Sequence, residues 1–360
     1  MKIDHVHFYT RNAARTRDWF IHNVGFQAIA TCISQHTHTE LIALNSAYFV
    51  ISSPLNSVSP VAQYLQHHPE GVADLAFRVK NLAATMERSR RLGVKTVQNI
   101  QLWQSFQGKF KFAQITGWQD LQHTLIEATG EPNCCVPIAL KPYKSDRPNQ
   151  SYITNIDHIV LNVAQGKLDA AVKLYQELFN FKVQQSFKIQ TNTSGLTSQA
   201  LIDDVGEVQF NINQPTTANS QIQEFIDLNG GSGIQHLALR SQNLIADVVQ
   251  MREKLKFLAV PQAYYHHLKP LLSLNQAERT AVVQQQILVD GDYYTDSQSL
   301  LMQIFTQPIF EQPTFFLEFI ERRHSAQGFG QGNFQALFEA VERQSKHLSP
   351  IGNLDRTKVQ

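Results

Sequence analysis

The stretch NIDHIVLNV (155–163) has a counterpart in DHVHFYT (4–10), which lies 153 residues earlier when the two Asp-His pairs are aligned. Each is a β-rich apolar run followed by a helix-like segment and then by GFQ (25–27) or NFK (180–182). A second pair, GVADLAFRVKNL from Gly71 and GIQHLALRSQNL from Gly233, is offset by 162 and sets Asp74 against His236. A third, HTLIE (123–127) with TFFLE (314–318), is offset by 191 and sets Glu127 against Glu318. Self-similarity on this scale decides the architecture, because each copy has to be a folding unit. The growing offset places insertions in the second copy.

Within the second copy, LDAAVKLYQELF follows the first strand, with Leu168, Ala171, Val172, Tyr175 and Leu178 on one helical face. Short strands FKVQQSFKI, SQALID and EVQFNIN come next. A new unit then begins with the helix SQIQEFIDL and the strand GIQHLALR, continues with a helix near 242–256, and ends in the strands QQILVD, SLLMQIF and TFFLEFIER. Strand, helix, several strands, written twice per half, predicts an α+β fold: two similar domains, each of two βαβββ modules in an open, barrel-like mixed sheet. The domains are placed at 1–130 and 152–360. The Pro-rich run EPNCCVPIALKPYKSDRPNQS reads as a linker over 131–151.

The 360 residues carry 31 Lys+Arg against 30 Asp+Glu, and 42% are hydrophobic. That is enough apolar material for two cores, and the near-zero charge offers no attraction to nucleic acid or an anionic membrane. No apolar run is long enough to span a bilayer, and Asp4, His5 and His7 interrupt the place of a secretory signal. Three cysteines, Cys32, Cys134 and Cys135, make no disulfide framework. The reading is a cytoplasmic protein whose partner is a small molecule; homo-oligomerisation is compatible with it. The patches His36/His38, His67/His68 and His266/His267 are read as surface loops.

Strand alternation puts His158 with Ile156 and Val160, His236 with Ile234 and Ala238, and Glu318 with Phe316 and Ile320. Each polar group interrupts an apolar face, and a buried carboxylate among Phe and Ile is costly without a counter-charge. A divalent metal shared by two imidazoles and one carboxylate supplies it, in the facial triad of non-haem Fe(II) oxygenases. Hydrogen-bonded core histidines, with Glu318 paired to Arg322 or Arg323, are the plainer alternative.

From about 153 to 345 the chain resembles 4-hydroxyphenylpyruvate dioxygenase, of the vicinal oxygen chelate superfamily, through IDHIVLNV, SGLTS, NINQP, SQIQEF, NGGSGIQHLAL, ILVDGD, LLMQIFTQP, PTFFLEFIERR and GFGQGNFQALFEAVE. Its first half resembles that family's metal-free domain. The resemblance implies one Fe(II) per chain on His158, His236 and Glu318. It implies substrate contacts from Ser198, Asn213, Gln221, Gln235 and Gln303, and aromatic walls from Phe305, Phe316, Phe329 and Phe334. The implied reaction takes an aromatic α-keto acid, 4-hydroxyphenylpyruvate, and O2 to homogentisate and CO2.

Where the family has Pro-x-Asn, this chain has Asn211-Ile212-Asn213, so Asn211 is expected to tune specificity. The alternatives are 4-hydroxymandelate synthase, which uses the same triad and substrate, and a non-catalytic binding protein. In the first half the matching residues are read as His5, Asp74 and Glu127. The glycines of GFGQGNF (328–334) are read as a hinge for a C-terminal gating helix with the stripe Phe334, Leu337, Phe338 and Val341.

Overall fold

The computed structural model describes all residues except 106–107, 131–132, 145–150, 191–193, 267, 269–270, 272, 292–298, 325, 331 and 334–360. In the first half, β1 (Lys2–Tyr9), α1 (Ala13–Val24), β2 (Gln27–Ile33), β3 (Thr37–Leu44) and β4 (Ala47–Pro54) make one module. After the short α2 (Pro60–Tyr64), β5 (Gly71–Arg78), α3 (Leu82–Arg91), β6 (Thr96–Ser105), β7 (Gly108–Thr116) and β8 (Gln122–Ala128) make the next, and β9 (Lys141–Pro142) follows. The second half repeats this with β10 (Ile153–Asn162), α4 (Leu168–Phe179), β11 (Lys182–Gln190), β12 (Gly195–Ile202) and β13 (Gln209–Pro215). There follow α5 (Gln221–Asn229), β14 (Gly233–Ser241), α6 (Leu244–Met251), α7 (Gln276–Gln284), β15 (Leu288–Gly291), β16 (Leu300–Phe305) and β17 (Phe316–Arg323).

The two sheets have one topology. The first runs β6-β7-β8-β5-β1-β4-β3-β2-β9 and the second β15-β16-β17-β14-β10-β13-β12-β11, so every strand of the first but β9 has an equivalent in the second. Each is a mixed sheet curled into a half-barrel, as the α+β reading predicts. The gating helix of that reading lies outside the described residues.

Local chemistry repeats too. Helix α4 buries Leu168, Ala171, Val172, Tyr175, Leu178 and Phe179 along one stripe and stops at Asn180, whose φ of 60° ends the right-handed spiral. Asn81 and Asn243 cap α3 and α6, and in each case a glutamate at the end of the sheet, Glu127 or Glu321, accepts a further helix N–H. The helix-side faces of both sheets share one apolar core containing Phe8, Phe77, Leu125, Phe179, Phe210, Leu239 and Phe319. Phe77 meets Phe179 at 5.3 Å, and His123 meets the Tyr175 hydroxyl at 3.0 Å, so the halves are packed together through these contacts.

Among the register shifts of the described strands, two recur at matching places in the two halves. Ile156 pairs with Leu239 and His158 with Ala238, leaving Asp157 as an extra residue on β10; Val160 pairs with His236 and Leu161 with Ile234, leaving Gln235 extra on β14. Asp4 and Ala73 are the extra residues at the matching points of β1 and β5. These bulges turn Ile156 and Ile234 into the helix-side core, away from the face of His158 and His236, contrary to the alternation reading. The pairing also corrects the repeat. Arg240 lies opposite Ile320 and Arg78 opposite Ile126, an offset of 194 that makes Thr124 the equivalent of Glu318 and Glu127 that of Glu321. The three-residue slip arose because LIE and FLE match as letters, whereas pairing fixes which residue faces the centre.

Residues 133–142, inside the stretch read as linker, pack on the first half. Cys134, Val136 and Leu140 join Ala30, Leu41 and Val50, while Cys135 joins Ala76, Phe110 and Ile126. Among the histidine patches, His67 and His266 are exposed as expected, His36 is half-buried, and His267 lies outside the described residues. His38 instead sits half-buried on β3 against Glu40, and His68 is buried between the halves, bonded to the Asn229 carbonyl.

Candidate metal centre

Three adjacent strands, β10, β14 and β17, carry His158, His236 and Glu318, each no more than 2% exposed. Glu318 Oε2 lies 3.1 Å from His158 Nε2 and 3.6 Å from His236 Nε2. The other oxygen, Oε1, accepts from Gln303 Nε2 at 2.8 Å, which fixes the carboxylate plane. One ligand atom from each residue falls within 4.8 Å of the others.

The bulge at Asp157 sets the orientation of His158. Asp157 Oδ1 accepts from His158 Nδ1 at 3.0 Å and is itself clasped by Arg322, at 2.7 and 2.8 Å. A carboxylate behind an imidazole holds one tautomer and leaves the other nitrogen to face the centre. Arg322 and Arg323 are thus not partners of Glu318: Arg323 pairs with Glu321 and Glu278.

The charges show what the centre is built to hold. Burial would by itself lower the His158 pKa, but the Glu318 charge and the hydrogen bonds to Asp157 and Glu318 lift it to about 9. Burial would raise that of Glu318, yet the charge and hydrogen bond of His158, with that of His236, hold it at about 2. Burial keeps His236 low, and its Nδ1 is buried with no partner among the described residues. Asp157 is held well below the usual carboxylate range, against burial, by Arg322 and His158. Two imidazole nitrogens with one carboxylate oxygen suit a divalent metal such as Fe(II).

Aromatic rings wall the triad. Phe316 stacks on His236 at 4.6 Å and 18°, Phe329 meets His158 edge-on at 5.1 Å, and Phe305 lies 6.3 Å from His236. Gln303 ties the triad to the chain after Gly328. Its Nε2 reaches the Phe329 carbonyl at 3.3 Å and its Oε1 accepts from Asn333 at 2.8 Å, while Arg322 donates to the Gly328 carbonyl at 2.7 Å. Gly330, at φ +67°, brings its backbone against Gln303, where a Cβ would collide with the amide.

Ser198, Asn211 and Asn213 sit buried on β12 and β13, next to β10. Gln235 is the bulged residue beside His236, and Gln221 opens α5; both are half-buried. Phe334 lies outside the described residues. Sequence reading missed Asp157, although the Asp-His dipeptide repeated in both halves was a signal for it, and so set Arg322 against Glu318 where its partner is Asp157.

The first half is built differently at the same place. Asp74 accepts from Gln114 Nε2 at 2.6 Å, Thr124 Oγ1 at 2.7 Å and Thr124 N at 3.0 Å, and the position of Glu318 is held by Thr124. Asp4, His5 and Cys134 approach one another, but Asp4 is committed to Arg78 at 2.6 Å and to the Cys135 N–H at 2.9 Å. Burial and the Asp4 charge push the Cys134 thiol far up, so this cluster is a poor metal donor set. A cleft of about 720 Å³ between the halves is lined by Lys2, Arg78, Glu127, Ile156, Asp157 and Arg240 and does not include the triad.

Comparison with known proteins bears on these features. Residues 3–139 match the model of the glyoxalase-like domain, and 155–269 that of the glyoxalase/bleomycin resistance protein/dioxygenase superfamily. An uncharacterised protein of Synechocystis is 35% identical over 97% of this chain and 99% of its own. The 4-hydroxyphenylpyruvate dioxygenase of Yarrowia lipolytica is 32% identical over 95% of this chain and 91% of its own, and that of Caenorhabditis briggsae 31% over 94% and 90%. A mutant of 4-hydroxymandelate synthase from Streptomyces coelicolor superposes with a TM-score of 0.86 at 24% identity, covering 96% of this chain and 98% of that one.

Proposed function

The chain belongs to the 4-hydroxyphenylpyruvate dioxygenase family, and from that premise we propose that it converts 4-hydroxyphenylpyruvate and O2 to homogentisate and CO2. The observation that carries the proposal is the buried triad, with Glu318 Oε2 at 3.1 and 3.6 Å from two imidazole nitrogens inside an aromatic wall. His158, His236 and Glu318 would hold Fe(II), one per chain. When bound, the ion supplies activation of O2 and the charge that draws an α-keto acid to the triad.

The chain's own residues do the rest. Asp157 and Arg322 hold His158 in the tautomer that presents Nε2, and Gln303 keeps Glu318 Oε2 aimed between the imidazoles. Phe305, Phe316 and Phe329 exclude water from a reactive centre. Ser198, Asn213, Gln221 and Gln235 offer hydrogen bonds without adding charge, which orients a polar aromatic ligand without competing with the metal for it. Phe334 and the gating helix expected beyond it lie outside the described residues and enter the proposal only as that expectation.

Asn211 favours a second reading. Its Oδ1 is buried without a partner among the described residues, where the family offers a rigid pyrrolidine, and such a group bears on whether the ring or the benzylic carbon is hydroxylated. That reading makes 4-hydroxymandelate. Chromatographic identification of the product from 4-hydroxyphenylpyruvate, Fe(II) and O2 tests both: homogentisate is expected, mainly 4-hydroxymandelate would replace the proposal by the second reading, and Fe(II) binding with no O2 uptake would reduce the protein to a binding module.

A further inference from the structure

The two imidazoles of the triad are held in different ways. Asp157 fixes the ring of His158 from behind, whereas His236 Nδ1 is buried with no partner among the described residues, although a ligating imidazole usually donates from its second nitrogen. Strand pairing adds little on the approach to His236. The register of β14 with β17 starts at His236, and on the β10 side Gln235 is the extra residue, so Gly233 and Ile234 are paired on one side alone. The place of His236 therefore depends on how the chain enters β14.

That entry is a short loop, Gly230 to Ser232, between α5 and β14. Gly230 and Gly231 turn at φ of 70° and 137°, and the Asn229 amide ties the turn from within, donating to the Gly231 and Ser232 carbonyls at 3.1 and 3.3 Å. Its outer contacts come from the first half of the molecule. His68 Nδ1 lies 2.8 Å from the Asn229 carbonyl and has to donate, since a carbonyl oxygen only accepts. The Gln119 side chain accepts from the Ser232 N–H at 3.1 Å, and Trp118 Nε1 donates to Ser232 Oγ at 3.3 Å. Gly230 packs so closely on the His67 carbonyl that a Cβ would collide with it. The turn that holds His67 and His68 precedes β5 as this loop precedes β14, so two equivalent turns of the repeat lock against each other.

We infer that His68 and Gln119 are positioning residues for the metal centre: through the Asn229 carbonyl and the Ser232 N–H they fix the loop that sets His236, and the half without a triad thereby shapes the triad of the other. His236 follows Ser232 by four residues, so a shift of the loop is carried along the strand to the imidazole. A ligand displaced by more than about 0.5 Å no longer meets its metal well. The inference rests on the proposed metal centre and deepens it, by naming what holds the imidazole that lacks a carboxylate behind it.

The test is titration of the metal-free protein with Co(II), followed by visible absorption, which reports affinity and ligand geometry together. His68→Leu should weaken Co(II) binding about tenfold and change the absorption bands. His68→Asn, whose amide places an N–H where Nδ1 stood, should restore both. Urea unfolding of the metal-free proteins runs alongside. A lower midpoint in His68→Leu with Co(II) affinity and spectrum unchanged would mean a purely structural contact and overturn the inference, as would equal losses in the leucine and asparagine variants. If circular dichroism shows His68→Leu unfolded, Gln119→Leu, which changes an exposed side chain and removes the acceptor of the Ser232 N–H, carries the same expectation, with Gln119→Glu as the rescue. If the unmodified protein takes up no Co(II), the proposed metal centre itself fails and takes this inference with it; Co(II) uptake that the leucine variants leave intact overturns this inference alone.

Discussion

Arg322 clasps Asp157 through two hydrogen bonds of 2.7 and 2.8 Å across 165 residues of sequence, and so fixes the carboxylate that fixes His158. Removing a carboxylate behind a ligating imidazole typically costs about 10–100-fold in metal affinity. Asp157→Asn should therefore weaken metal binding by about that factor, read by competition with a metal-sensitive dye. Arg322→Met strands a buried negative charge and should cost roughly 3–5 kcal/mol in urea unfolding. Metal affinity unchanged in Asp157→Asn would remove this pair from the account.

His236→Ala should abolish metal binding and turnover while leaving circular dichroism nearly unchanged, since the strands stay paired without the imidazole. Asp74→Ala, in the first half, should leave metal stoichiometry at about one per chain. Elemental analysis after desalting decides. Equal loss of metal in both variants would contradict a single centre on β10, β14 and β17.

Gly330 sits at φ +67° with its backbone against the Gln303 amide. Gly330→Ala strains the backbone and displaces Gln303 from Glu318, at a cost of about 1–3 kcal/mol. The melting temperature should drop, and product formed per O2 consumed should fall. Truncation before Gly328 should suppress or uncouple the reaction in the same direction. Full coupling in both proteins would show that this segment does not shield the centre.

Asn211→Pro restores the family's residue. Homogentisate should remain the main product, with any 4-hydroxymandelate reduced, because one hydrogen bond of about 1.4 kcal/mol shifts a product ratio tenfold. If the unmodified protein makes mainly 4-hydroxymandelate and this variant makes homogentisate, position 211 sets the outcome and the second reading holds.

Stability should fall with acidity in a defined window. Burial lowers both His123 and His7 to about 4, against the pull of Asp74, whereas an unfolded histidine titrates near 6.5. Between these values the unfolded chain binds more protons, so the contribution is complete above about pH 6.5 and is lost as pH falls toward 4. Each group adds up to about 1.4 kcal/mol per pH unit. Urea midpoints at pH 7, 5.5 and 4.5 should decline, and His123→Asn should flatten the decline. An identical slope in that variant would rule out His123 as a contributor.

The repeat was legible because two-residue strand periodicity and helical stripes are local, and they survive in DHVHFYT and DHIVLNV alike. The three triad positions were suggested by polar residues set among apolar sequence neighbours, a local signal that holds although Ile156 and Ile234 lie on the opposite face. What could not be found was anything set by pairing between distant strands. The extra residues Asp157 and Gln235 reverse the faces of Ile156 and Ile234, and only opposing partners reveal them. Thr124 rather than Glu127 stands in for Glu318, and nothing in the letters distinguishes the two until β5 and β8 are laid side by side.

In the first half, residues 134–140 cover the concave face that in the second half carries the triad, and Val50 and Ala76 beneath them occupy the places of Asn211 and Ala238. That cover is covalently tethered to both halves. A tethered occupant competes at an effective concentration set by its short leash, commonly in the millimolar range, and it never diffuses away. Free metabolites at lower levels would have to bind far more tightly than usual to displace it. One consequence is that two copies of a fold need not offer two open faces: residues 134–140 fill that face of one copy, where the other carries the triad.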